Sequence, residues 1–185
     1  MTELVVLLDQ DGTPTGTYPK ALVHGQDTPL HQAFSCHVFD ADGRVLMTRR
    51  SLDKVAWPGV WTNAFCGHPG PGEPFEDALA RRAEYELGLE LGAIEPVLPD
   101  FRYWARDASG IVENEVCPVF TAVAARDPEP RPDEVAEWSW VAPAEARRAV
   151  LAAPFAFSPW LVLQVRQGVW GAPETQDDGG AGVPS

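Results

Sequence analysis

Between Pro74 and Gly88 the chain marks out one helix with both ends signalled, and everything else must fold to cover it. Pro74 suits an opening position, because the N–H it lacks would be unpaired there anyway. Phe75, Leu79, Ala83 and Leu87 recur every four residues as an apolar stripe, and Gly88 terminates it. Strand signals supply the surface that the stripe needs. Leu4 to Leu8 reads as a first strand. Phe34 to Phe39 and Arg44 to Thr48 flank Asp42-Gly43, a hairpin dipeptide. Phe101 to Arg106 and Ile111 to Val123 bracket a second turn at Asp107 to Gly110. Glu137 to Val141 reads as a strand, Pro143 to Ala152 as a helix, and Ser158-Pro159 as the capped start of a last helix ending near Gln167. Strands outnumber interspersed helices, which predicts an α+β fold with a mixed sheet sandwiched by helices.

The chain of 185 residues suits a single domain, expected over residues 1–170. Residues 171–185 carry Gly, Pro, Asp and Ala without periodicity and are expected to form a disordered tail. A net charge of −13 makes nucleic acid and anionic membranes poor partners. Three cysteines, none in a C-x-x-C pair, and a polar start at Met1-Thr2-Glu3 point to a reducing cytoplasm. No apolar run reaches the roughly 18 residues of a membrane span. Residues 50–72 read as a long loop around a short strand near Val60 to Phe65, and a loop of that length tends to be functional.

That loop ends in Cys66-Gly67-His68-Pro69, at the mouth of an altered motif. From Gly67 the spacing follows G-x5-E-x7-R-E-U-x-E-E-x-G-U (U apolar), in which helix glutamates ligate divalent cations against a diphosphate. Here the helix reads Arg81-Arg82-Ala83-Glu84-Tyr85-Glu86-Leu87-Gly88-Leu89, so Arg82 and Tyr85 stand where glutamates are expected while Glu73 and Glu86 remain. Arg82 and Glu86 lie one turn apart. They form either a surface ion pair or a diphosphate-binding guanidinium beside a single metal-binding carboxylate. Fewer anionic ligands weaken multi-metal hydrolysis without weakening the grip of arginine on diphosphate.

Three further blocks make the resemblance specific. Pro58-Gly59-Val60-Trp61-Thr62-Asn63 runs on into Cys66 to Pro69; Ser109 to Pro118 carries Glu113 and Glu115; Ala156-Phe157-Ser158-Pro159-Trp160 opens the last helix. Together they resemble the metal-dependent, Nudix-fold isopentenyl-diphosphate isomerases of type I, over nearly all of residues 3–168. The resemblance implies a Nudix-like domain with an N-terminal extension, acting as a monomer on a small allylic or homoallylic diphosphate. In that family a double bond moves between isopentenyl and dimethylallyl diphosphate, through protonation and deprotonation around a carbocation-like state.

Such a reaction needs two proton-transfer groups in a pocket with few competing nucleophiles. The family positions for them fall on Cys66 and Glu115, with the direction of transfer open. On a strand Glu113 and Glu115 share a face, which is either a solvated face or a pair of buried carboxylates that need a cation between them. Cys66 is either an inert buried thiol or, in its polar loop, a reactive one. Cys36 and Cys117, in apolar strands, are read as inert.

The resemblance also implies a five-ligand metal site of His24, His31, His68, Glu113 and Glu115, suited to Mn²⁺, Zn²⁺ or Mg²⁺, and leaves His37 a structural role. A second ion, Mg²⁺, would bridge Glu86, the backbone carbonyl of Cys66 and the substrate diphosphate. Lys20, Arg50, Lys54 and Arg82 match the diphosphate clamp, with Arg49 replacing Arg50 in another strand register. Tyr103 would hydrogen-bond near Glu115, and Trp160 would face the carbocation, a contact worth roughly 0.5–2 kcal/mol. Trp61 is a further candidate wall of the pocket. Two rival functions remain: a Nudix pyrophosphohydrolase, which predicts an intact glutamate cluster, and an inactive diphosphate-binding module, which predicts loss of Cys66, Glu115 or the histidines.

Overall fold

The strand Phe34–Phe39 carries two kinds of residue on its two faces, and the rest of the architecture follows from them. Phe34, Cys36 and Val38 join one apolar cluster, while Ser35 and His37 face the other way toward Gln164. A computed structural model describes residues 3–171 and places this strand centrally in one of two mixed sheets. In chain order the strands are β1 (Leu4–Leu8), β2 (Pro14–Pro19), β3 (His31–Gln32), β4 (Phe34–Phe39), β5 (Val45–Arg50), β6 (Trp61–Thr62), β7 (Phe65–Gly67), β8 (Leu91–Leu98), β9 (Arg102–Arg106), β10 (Val112–Val116), β11 (Val119–Ala124) and β12 (Val135–Val141). The helices are α1 (Lys20–Val23), α2 (Phe75–Leu87), α3 (Pro143–Ala152) and α4 (Pro159–Arg166).

The first sheet has the order β2-β1-β3-β10-β9, and the second β12-β5-β4-β11-β8, with β6 against β5 and β7 against β4. Most neighbours are antiparallel, but β10 runs parallel to β3 and β11 parallel to β4. The stripe of α2 buries Leu79, Ala83 and Leu87 against Phe34, Cys36, Val38, Leu46, Phe120 and Ala122. On the opposite face Val45, Met47 and Val119 pack with Val150 of α3 and with Trp160, Leu161 and Val165 of α4. The second sheet is therefore sandwiched by helices, as its alternating strands require.

Several expectations are corrected. The run Ile111 to Val123 is not one strand: it breaks at Cys117-Pro118 into β10 and β11, which belong to different sheets. A proline cannot donate to a ladder, and the carbonyl of Pro118 instead accepts the N–H of Ser35. The chain steps between sheets a second time at Ala33, between β3 and β4, whose N–H goes to the carbonyl of Val116. The hydroxyl of Ser158 makes no cap for α4; it pairs at 2.7 Å with that of Thr62. The strand expected near Val60 to Phe65 is two short ones, β6 and β7. β2, α1 and β8 carried no readable signal. The expected tail lies outside the described residues, apart from Gly171.

Gly88 ends α2 in the left-handed region at φ 62°, as its position in the sequence predicts. His37 is fully buried and donates through Nε2 to Oε1 of Gln164 at 2.9 Å. Burial pushes its imidazole down to about 4 from an ordinary value of 6.5. The unfolded chain therefore binds the proton more readily, so this contribution to stability is complete above pH 6.5 and is lost as pH falls toward about 4. The melting temperature is expected to decline across that window, and His37→Gln to flatten part of the decline in a thermal series against pH.

Candidate active site

The site occupies the line where both parallel strand pairs change sheets. Glu115 lies opposite His31 in the first sheet, and one step away Cys66 of β7 lies opposite Ser35 in the second. A cavity of about 590 Å³ opens there, lined by Lys20, His24, Arg50, Lys54, Cys66, His68, Arg82, Glu86, Tyr103, Glu113, Glu115, Glu134 and Trp160. Two elements approach unusually closely at its floor. A Cβ on Gly67 would lie 2.7 Å from the Phe34 ring and 2.9 Å from Cγ of Arg82, so β7 needs glycine there to lie against α2.

The period-two reading of β10 holds. Glu113 and Glu115 share a buried face, while Asn114 points away and donates to the carbonyl of Thr28 at 3.1 Å. The Tyr103 hydroxyl reaches both carboxylates, at 2.9 Å from Glu115 and closer to Glu113. Burial raises Glu113 to about 7, and the neighbouring charge of Glu115 adds to the rise. Burial opposes ionisation of Glu115 as well, but hydrogen bonds from His31 and His68 outweigh it and hold this carboxyl well below its usual range.

His24, His31, His68 and Glu115 bring one ligand atom each within 4.8 Å of one another. Nε2 of His31 and Nε2 of His68 are 3.2 Å apart and both face Oε1 of Glu115, at 3.4 and 3.1 Å. Nδ1 of His31 is fixed by the carbonyl of Pro29 at 2.9 Å, while the buried Nδ1 atoms of His24 and His68 have no partner. Protons alone satisfy such a cluster only in part: Glu115 raises His31 despite its burial, while burial lowers His68 and pushes His24 down to about 4. Three imidazoles and a carboxylate fit a divalent cation. Of the five ligands expected, Glu113 stands outside this group, held by the hydroxyl of Tyr103.

Cys66 faces the same cavity. Burial pushes its thiol up to about 12, although contacts to Ser35 at 3.5 Å and Asn63 at 3.7 Å work the other way. Nothing in the local sequence marks Asn63 as a site residue, yet it ties the site together from a fully buried position. Its Oδ1 accepts the indole N–H of Trp160 at 3.0 Å, and its Nδ2 donates to Ser35 and to the carbonyls of Cys36 and Phe65. Cys36 and Cys117 are buried and lie outside the cavity lining, in line with the inert reading.

The four basic residues do converge. Arg50, not Arg49, lines the cavity; Arg49 turns outward to Glu137 at 3.1 Å and to the carbonyl of Gly59. Arg50 lies over the Trp160 ring, 5.4 Å from its centroid, and donates to the carbonyls of Ala56 and Trp57. Trp57 adopts a left-handed φ of 46°, rare for a bulky residue, and sets its ring edge-on to Trp160. Lys20 pairs with Glu3 at 2.7 Å. Arg82 and Glu86 are a buried ion pair rather than a surface one. Glu73 is turned away, bound to Arg81 and the N–H of Gly70. Trp61 packs against the apolar cluster around Trp160 but does not line the cavity.

The chain is also similar to known proteins. A NUDIX domain model matches residues 29–161. The isopentenyl-diphosphate Delta-isomerase of Agromyces mediolanus is 67% identical over 89% of the chain and 80% of its own length. Its namesake from Clavibacter michiganensis subsp. michiganensis is 65% identical over 89% and 84%. Among solved structures, the protein DR0079 of Deinococcus radiodurans superposes with a TM-score of 0.69 at 19% identity, covering 89% of this chain and 98% of that one, which speaks to the fold alone.

Protein stripped with a chelator should take up one tight equivalent of Mn²⁺ or Zn²⁺ by calorimetry and gain melting temperature. A His31→Ala, His68→Ala double variant should lose both responses, and a wild-type level of uptake in that variant would overturn the assignment.

Proposed function

This chain belongs to the NUDIX family and, within it, to the isopentenyl-diphosphate Delta-isomerases, and from that premise we propose how its residues divide the work. It is an isomerase that moves a C=C bond, interconverting isopentenyl and dimethylallyl diphosphate. Arg82 and Tyr85 on α2, in place of two metal-binding glutamates, speak against the hydrolase reading. The presence of Cys66, Glu115 and the histidines speaks against an inactive module.

Cys66 and Glu115 are the two proton-transfer groups. The observation that carries this is their placement on one cavity, Cys66 from β7 and Glu115 from β10; there burial pushes the thiol up to about 12, while hydrogen bonds from His31 and His68 hold the Glu115 carboxyl well below its usual range. One partner thus enters a turnover protonated and the other ionised, and the alkene receives one proton as it gives up another. In the reverse direction the same groups exchange roles. Trp160 offers its indole to the positive charge developing on carbon, held by Asn63 at its N–H. Tyr103 bridges Glu113 and Glu115 and relays the protonation of one to the other.

Lys20, Arg50, Lys54 and Arg82 grip the diphosphate. Arg50 would leave the carbonyls of Ala56 and Trp57 to do so, freeing the face of Trp160 for the alkene. His24, His31, His68 and Glu115 would hold Mn²⁺, Zn²⁺ or Mg²⁺, whose charge would tune the basicity of Glu115, and Glu113 would complete the set only by exchanging the hydroxyl of Tyr103 for the ion. Glu86 and the main-chain carbonyl of Cys66 would hold Mg²⁺ with the diphosphate. The net charge of −13 supports a small-molecule partner rather than nucleic acid or membrane. The three free cysteines favour a cytoplasmic setting, and we read the working form as a monomer.

Incubation with isopentenyl diphosphate, Mg²⁺ and Mn²⁺ in D₂O, followed by NMR, should place deuterium in a methyl group of dimethylallyl diphosphate without phosphate release. Phosphate or pyrophosphate in its place would mark a hydrolase. Cys66→Ala and Glu115→Gln should each lower kcat by about 10²- to 10⁴-fold, the usual share of a proton-transfer group. Full activity in either variant would sink that residue's role.

A further inference from the structure

The geometry points to Glu134 as the positioning residue of the diphosphate clamp, one carboxylate that holds two clamp cations from two different elements. Its Oε2 binds Nζ of Lys54 in a short ion pair, and its Oε1 lies 3.7 Å from Nη2 of Arg82. Lys54 sits in the loop after β5 and Arg82 on α2, so the carboxylate joins two elements of the cavity wall. This role rests on the reading that Lys54 and Arg82 grip the diphosphate.

Three observations separate Glu134 from an incidental surface partner. Its side chain is only 12% exposed and lines the cavity itself. Its main chain is fixed on both sides: its carbonyl accepts the N–H of Ser51 at 3.0 Å, and its N–H donates to the carbonyl of Arg131 at 3.0 Å. Arg131 in turn donates to the carbonyl of Glu86, and Glu129 to that of Leu87, which ties the segment to the end of α2. The carboxylate therefore stands on a rigid frame, while Lys54 has a flexible four-carbon stem.

An ammonium has three donors and a guanidinium five. Glu134 occupies one on Lys54, and Arg82 directs two of its own to Glu86, so both heads keep N–H groups for an incoming diphosphate. Ordering these heads before the substrate arrives removes an entropic cost that binding would otherwise carry. The other two clamp cations have separate tethers, Lys20 on Glu3 and Arg50 on loop carbonyls.

The test compares wild type, Glu134→Gln, Lys54→Ala and the double variant, all metal-loaded, for KM and kcat with isopentenyl diphosphate, with melting temperatures alongside. Glu134→Gln should raise KM roughly three- to tenfold with kcat within about twofold, the size of one side chain ordered at binding instead of before it. Lys54→Ala should raise KM at least as far, and the double variant should fall well short of the product of the two. Glu134→Asp, which keeps the charge, should recover part of the loss. If Lys54→Ala raises KM while Glu134→Gln leaves it unchanged or lowers it, Glu134 positions nothing. Combined loss of kcat and melting temperature in Glu134→Gln would make it a structural residue. A wild-type KM in Lys54→Ala would overturn the clamp reading instead.

Discussion

Two carboxylates buried side by side on one strand are the constraint around which this molecule is arranged. Glu113 and Glu115 are 8% and 4% exposed, and neither charge is tolerable there without compensation. The surroundings supply it unequally. Glu115 receives His31 and His68, while Glu113 receives a phenol and a more distant guanidinium, and their titrations part accordingly. Placing imidazoles beside Glu115 requires β3 to run parallel to β10, with His31 opposite Glu115. Placing a thiol nearby requires the next strands to belong to another sheet. The breaks at Ala33 and Cys117-Pro118 meet both requirements at once.

How much of this was legible follows from which signals are periodic. The α2 stripe and the faces of β10 repeat at 3.6 and 2 residues, and both read correctly from the chain. The α3 and α4 boundaries came from proline positions and held to within about a residue. β2 and β8 are edge strands, exposed along most of their length, with Pro96 inside β8, so neither shows alternation. The division of β10 from β11 had a signal in Pro118, but one proline in an apolar run does not say that the chain changes sheets.

Within the site, residues to which chemistry is proposed leave a signal in the sequence, and residues that hold them do not. Cys66 and the three histidines are rare types in informative blocks, while Glu113 and Glu115 stand out by their block alone. Asn63 was readable as part of its block, but nothing local reveals that its amide reaches Ser35, Cys36, Phe65 and Trp160 at once. Glu134 is one of many acidic residues in a chain of charge −13, and its two partners lie 80 and 52 positions away. Such contacts exist only once the sheet is assembled.

The high titration of Cys66 has a chemical consequence that joins these parts. A thiolate beside a tertiary carbocation can form a carbon–sulfur bond, so the charge-separated state that follows proton transfer from the thiol must be brief. Burial keeps the resting sulfur protonated, so it meets the alkene as an acid and not as a nucleophile. The contacts from Ser35 and Asn63 lower the thiol only partly, enough to orient the sulfur and too little to ionise it. The same logic explains Arg82 on α2. Where a cluster of glutamates would gather metal ions and activate water, a guanidinium can bind diphosphate oxygens without supplying a nucleophile. Suppressing nucleophiles, in the resting thiol and around the phosphates alike, favours loss of a proton from the carbocation over gain of a bond.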